Sequence, residues 1–116
     1  MNMEIVDVAP RLVKITLAGR LDTPGVERIE TRFLATLVPN ANNAIVDMSQ
    51  VDFISSMGIR MLVSAARSLK MRKAALSLFG AQEQVNQILE QVSINQMIRV
   101  CGSEAEAQAA VSPSVT

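Results

Sequence analysis

The chain has 116 residues, 49% hydrophobic and 19% charged, which is the make-up of one folded domain with a real core and not of a disordered segment. Eleven Lys and Arg balance eleven Asp and Glu, and this zero net charge argues against a general binder of nucleic acid or anionic membrane. With no His and one Cys, Ser-His-Asp and Cys-His catalysis, His-based or Cys-rich metal sites and an internal disulfide all drop out.

At the N-terminus Glu4 and Asp7 interrupt the apolar residues, so no secretory signal is expected, and no run approaches the roughly 20 apolar residues of a membrane span. A cytoplasmic location without membrane insertion is the expectation. The segments 3–8 and 11–17, joined by Ala9-Pro10, read as an antiparallel strand pair. In the second, Val13, Ile15 and Leu17 alternate with Leu12, Lys14 and Thr16, giving one apolar face and one mixed face. Gly19 is read as its end and Arg20-Leu21-Asp22 as a loop. A helix start is predicted at Thr23-Pro24, with Thr23 as N-cap, and Val26, Ile29, Phe33, Leu34 and Leu37 supply the buried stripe. For Asp22, the simplest role is to offset the positive end of that helix.

Ala44, Ile45, Val46 and Met48 form a short apolar run suited to a central strand, and residues 49–54 read as a connector. Next comes Ser55-Ser56-Met57-Gly58, followed by Ile59, Leu62, Val63, Ala66 and Leu69 at helical spacing. Both serines therefore stand where a strand hands over to a helix. A hydroxyl there can cap unpaired N–H groups, and the same geometry favours a phosphoryl group on serine, so both roles are open. On the helix, Arg60, Ser64 and Arg67 share one polar face. The cluster Arg67, Lys70, Arg72 and Lys73 is read as cations at a helix's negative end, with no nucleic acid bound.

The segment 74–79 is predicted as a strand stopped by Gly80, and Val85, Ile88, Leu89 and Val92 mark an amphipathic helix. Residues 98–100 read as an edge strand, with Cys101 a partly buried structural thiol. An Ala-rich helix capped by Ser103 follows, and 112–116 is expected to be a disordered tail. The expected fold class is α/β: a single domain over 1–111, with a mixed β-sheet of about four to five strands and about four helices. No phosphate-binding loop is present, and neither catalysis, a cofactor nor a metal is expected.

Two stretches carry a family resemblance. Ile45-Val46-Asp47-Met48 with Val51-Asp52-Phe53-Ile54-Ser55-Ser56-Met57-Gly58-Ile59 resembles the signature of STAS domains of the bacterial anti-sigma factor antagonist family, in which Asp-Ser-(Ser or Thr)-Gly-Leu follows a hydrophobic strand. Upstream, Leu17-Ala18-Gly19-Arg20-Leu21-Asp22 is similar to the family's Leu-Thr-Gly-Glu-Leu-Asp. Matched through Gly58, the family's phosphorylated Ser falls on Ser56, its Asp on Ser55 and its second hydroxyl on Met57, so that Ser55 offers a possible second acceptor.

The resemblance implies a STAS domain that binds an anti-sigma factor, usually also a serine kinase, when unphosphorylated, and is released when that kinase phosphorylates Ser56. A phosphatase reverses the step. It further implies a docking surface built from Asp22, Thr23, Ser55, Met57, Gly58, Arg60, Met61 and Ser64, with Asp22 and Ser56 in one patch. Two alternatives stand beside it: an unphosphorylated accessory subunit of a membrane lipid transport complex, in which Ser56 is a helix cap, and a nucleotide-binding STAS module.

Overall fold

A computed structural model describes residues 1–111 of the chain; the expected tail at 112–116 lies outside the described residues. The order of elements is β1 (Asn2–Ala9), β2 (Leu12–Leu21), α1 (Thr23–Leu37), β3 (Asn43–Ile54), α2 (Ser56–Met71), β4 (Leu76–Phe79), α3 (Glu83–Gln91), a short 3-10 turn (Ile94–Gln96), β5 (Arg99–Cys101) and α4 (Glu104–Val111). The five strands form one sheet in chain order, β1 to β5. β1 runs antiparallel to β2, and β2, β3, β4 and β5 are mutually parallel, so the sheet is mixed as expected.

Local chemistry explains the connections. The β1–β2 hairpin turns through Pro10 and Arg11, and Arg11 takes a left-handed φ of 62°. Each parallel pair then needs a crossover, supplied in turn by α1, α2 and α3. Val13, Ile15 and Leu17 are buried together with Val46, Met48 and Leu78 and with Ile29, Phe33, Leu62, Leu69, Val85 and Leu89 from these helices. The apolar face read from β2 is thus the face that α1, α2 and α3 cover. The opposite face carries a smaller cluster, Ile45 and Phe79 against Ala107 and Val111 of α4. Ser77, fully buried, donates its hydroxyl to the Ala107 carbonyl at 2.9 Å, and Lys14 pairs with Glu104 at 2.8 Å, so α4 is fastened to β2 and β4.

The largest boundary differences from the sequence expectation lie in β2 and β3. The expected connector 49–54 belongs to β3, and Arg20 and Leu21, expected in a loop, belong to β2: Arg20 pairs with Phe53 and Leu21 with Ile54. The pairing slips register between Thr16 and Ala18 and again between Gly19 and Arg20. Each slip shifts which residues face inward, which hides the two-residue period from a reading of sequence alone. Gly19 carries the strand through the irregularity at φ 111° instead of ending it.

Candidate functional site

Because β2 and β3 are parallel and end level, their helices start side by side. The two junctions share a design. At the first, the chain reads Leu21-Asp22-Thr23-Pro24-Gly25, and the Asp22 carboxylate accepts the Gly25 N–H at 3.0 Å. At the second it reads Ile54-Ser55-Ser56-Met57-Gly58, and the Ser55 hydroxyl accepts the Gly58 N–H at 3.4 Å. In both, the cap residue is extended, at φ −103° for Asp22 and −101° for Ser55, as an N-cap requires. The N-cap of α1 is therefore Asp22 and not Thr23, which becomes the exposed first helical residue. Asp outranks Thr slightly as a cap, and Pro24 is accepted inside the first turn, where its missing N–H leaves no bond broken.

The glycines explain how closely the two helices approach β2. A Cβ at Gly25 would run into the Arg20 carbonyl, and one at Gly58 would stand 2.7 Å from the Leu21 carbonyl oxygen and 2.8 Å from Leu21 Cγ. The second junction is tied to the first by Ser55, whose N–H and hydroxyl both reach the Leu21 carbonyl, at 2.9 and 3.2 Å.

This arrangement divides the work of the serine pair. Ser55 is half-buried, and its hydroxyl both donates to Leu21 and accepts from Gly58. Ser56 is the first residue of α2, exposed to solvent, and among the described residues its hydroxyl has no hydrogen-bond partner. Asp22 stands at the same end of the sheet on the neighbouring junction. Its pKa is held below the usual carboxylate value, chiefly by the Gly25 N–H and, against some opposing burial, by the Arg20 guanidinium at 3.2 Å. The carboxylate is thus a fixed negative charge at neutral pH.

Two residues of this end were not singled out from the sequence. Arg20 lies over the Phe53 ring at 4.3 Å from its centroid while it bonds Asp22, so the guanidinium is clasped between an aromatic face and a carboxylate. Both looked like loop residues, and only the β2–β3 register makes them cross-strand neighbours.

Of the other expected surface residues, Thr23, Arg60 and Ser64 are exposed and Met57 is half-buried. Arg67 is exposed on the same face of α2 as Arg60 and Ser64. Two expectations are corrected. Met61 is fully buried against the sheet, and Gly58 is buried against Leu21, so neither offers a side chain to a partner. Met61 falls one residue beyond the exposed Arg60, and the 100° helical step turns it inward.

A groove of about 270 Å³, lined by Met1, Arg20, Asp22, Pro24, Gly25 and Arg28, lies at the first junction. Another groove, of about 530 Å³, is lined by Gly80, Asn86, Glu90, Cys101 and their neighbours at the ends of β4 and β5, and neither Ser55 nor Ser56 lines it. No group of three metal-ligating side chains occurs among the described residues, and none of their helices is long and apolar enough to cross a membrane.

Comparison with known proteins gives the following. The family model described as the STAS domain matches residues 4–107. An anti-sigma-B factor antagonist of Listeria monocytogenes is 23% identical over 94 residues, covering 81% of this chain and 82% of that protein. Among solved structures, the anti-sigma factor antagonist SpoIIAA in its unphosphorylated form superimposes with a TM-score of 0.79 at 18% identity, covering 94% of this chain and 96% of that one. Its phosphorylated form from Bacillus gives 0.71 at 19% identity, covering 94% and 98%. The murine anion transporter Slc26a9 also superimposes, with a TM-score of 0.71 at 20% identity, over 85% of this chain but only 17% of the transporter.

Proposed function

The chain belongs to the STAS domain family, and on that footing we propose that it is an anti-sigma factor antagonist switched by phosphorylation of Ser56. The observation that carries this reading is the division of labour at the second junction: Ser55 caps α2, which leaves the Ser56 hydroxyl exposed and uncommitted beside a docking face. The name of the Listeria relative supports the same reading.

In this reading the unmodified protein meets an anti-sigma factor through Asp22, Thr23, Ser56, Met57, Arg60 and Ser64. That partner, a serine kinase, transfers a phosphoryl group from a nucleoside triphosphate to the Ser56 oxygen, and a phosphatase removes it. Modification adds about −1.5 to −2 charges. Placed beside the ionised Asp22, that charge opposes docking by repulsion and by the cost of desolvating it, with no refolding needed. A change of about 1.4 kcal/mol already alters affinity tenfold. Ser55 is the poorer acceptor, because taking a phosphoryl group would cost it the hydrogen bond it donates to Leu21.

The test is binding to the anti-sigma factor purified from the same organism. Ser56→Ala should bind constitutively, and Ser56→Asp should bind at least tenfold more weakly, with the phosphate located on Ser56 by mass spectrometry after incubation with the kinase and ATP. Equal binding by wild type and both variants would sink the proposal. The shared fold with part of an anion transporter keeps one other reading in view, an unmodified accessory subunit. Co-purification with a transporter ATPase, and no phosphate on Ser56, would select it.

A further inference from the structure

We propose that Arg60 is the residue through which modification of Ser56 is read: a phosphoryl group on Ser56 captures the Arg60 guanidinium one turn along α2 and so withdraws a cation from the docking face. The inference rests on the reading of Ser56 as the modified residue.

Spacing comes first. Ser56 and Arg60 are four residues apart on the exposed side of one helix, a separation that brings Cβ atoms to about 5–6 Å. The order is the favourable one for an ion pair, with the anion N-terminal and the cation C-terminal. Guanidinium presents two parallel N–H groups to a phosphoryl group, which a point charge such as Lys cannot do.

Availability comes second. The ion pairs among the described residues are Lys14 with Glu104 and Arg20 with Asp22, so Arg60 has no carboxylate to leave. α2 itself, Ser56–Met71, contains no acidic residue that could compete for it. Arg20 is already bonded to Asp22 and stacked on Phe53, and Arg28 lies beside Asp22 and Gly25 on α1, not on the helix that begins at Ser56. Arg60 is the uncommitted guanidinium one turn from Ser56 on the same helix.

The consequence is a switch without a moving backbone. In the unmodified protein Arg60 projects beside Ser64 and Arg67 as part of a cationic strip suited to carboxylates on the partner. After modification the same guanidinium is turned toward the head of the helix. The partner then meets an added anion and loses the cation opposite its own carboxylate.

The experiment needs no partner. Phosphoserine is installed at position 56 during translation, and the second ionisation of the phosphate, near pH 6 when unperturbed, is followed by phosphorus NMR. A neighbouring guanidinium stabilises the dianion and lowers that pKa. Arg60→Gln should raise it by roughly 0.15 to 0.4 of a pH unit, about a 1.4- to 2.5-fold gain in proton affinity. Arg67→Gln, eleven residues from Ser56 and out of reach, should leave it unchanged. An unchanged titration in Arg60→Gln, or the same shift produced by Arg20→Gln in its place, would overturn the assignment. Whether a kinase modifies Ser56 is read separately by mass spectrometry, so the two proposals can fail independently.

Discussion

Ser55 is bonded twice to the same atom of Leu21: its N–H and its hydroxyl both converge on the Leu21 carbonyl oxygen, at 2.9 and 3.2 Å. The last residue of β2 is thereby locked to the first junction residue after β3. That lock holds together the two junctions that carry Asp22 and Ser56, and it spends one hydroxyl of the serine pair while leaving the other free.

The two hydroxyls should separate in a stability measurement. Ser55→Ala removes an N-cap and should cost about 0.5–2 kcal/mol in urea unfolding, whereas Ser56→Ala should stay within about 0.5 kcal/mol of wild type. Ser55→Asp, which installs the same cap type that Asp22 provides for α1, should keep most of the wild-type stability. A greater loss from Ser56→Ala than from Ser55→Ala would reverse the assignment of the cap.

Gly58→Ala should destabilise by about 1–3 kcal/mol, the usual cost of forcing an extra methyl into a packed region, because the nearest obstacle is a strand carbonyl that cannot step aside. Gly102→Ala is the contrast, since its nearest neighbour is the end of the Glu106 side chain at 3.7 Å. Equal denaturation midpoints for the two variants would contradict the close approach of α2 to β2.

Met61→Ala should lower stability by about 2–5 kcal/mol, as truncation of a buried Met does, while Met57→Ala, half-buried at the helix start, should cost less. Partner affinity measured on the folded fraction should respond to Met57 and not to Met61. An intact fold with lost binding in Met61→Ala would return that residue to the docking surface.

Acid should loosen the first junction in a defined direction. The Asp22 carboxyl has a folded-state pKa below its ordinary 3.8, so its contribution to stability is present in full above the unfolded value and is lost as pH falls through the lowered folded value. Asp22→Asn should therefore melt below wild type at pH 7, and the two melting temperatures should converge as the pH is taken below about 4. A gap that widened with acid would mean that the carboxyl is not ion-stabilised in the fold.

Much of this was legible in the linear sequence. The alternation of Val13, Ile15 and Leu17 gave the inward face of β2, and the three-and-four spacing of Leu62, Ala66 and Leu69 gave the inner side of α2, because burial imposes those periods on a chain directly. Ser55-Ser56 could be placed at a helix start for a similar local reason. The sequence could not say which serine caps, because two adjacent hydroxyls are equivalent until the helix has a first residue. It also named Thr23 where Asp22 does the work, since both are good caps and one position separates them.

What the chain determined by itself was the order of elements, many of the core-facing residues and the family, all of which depend on local spacing. What only the tertiary structure decided was the pairing of the two junctions: the register that sets Arg20 on Phe53 and Leu21 beside Ile54, and the shared Leu21 carbonyl that commits Ser55 and frees Ser56. Those are contacts between residues some 33 positions apart, and register slips beside Gly19 break the pattern that would have announced them. A side chain's freedom depends on what has been brought up against it, and that is fixed only when the strands meet.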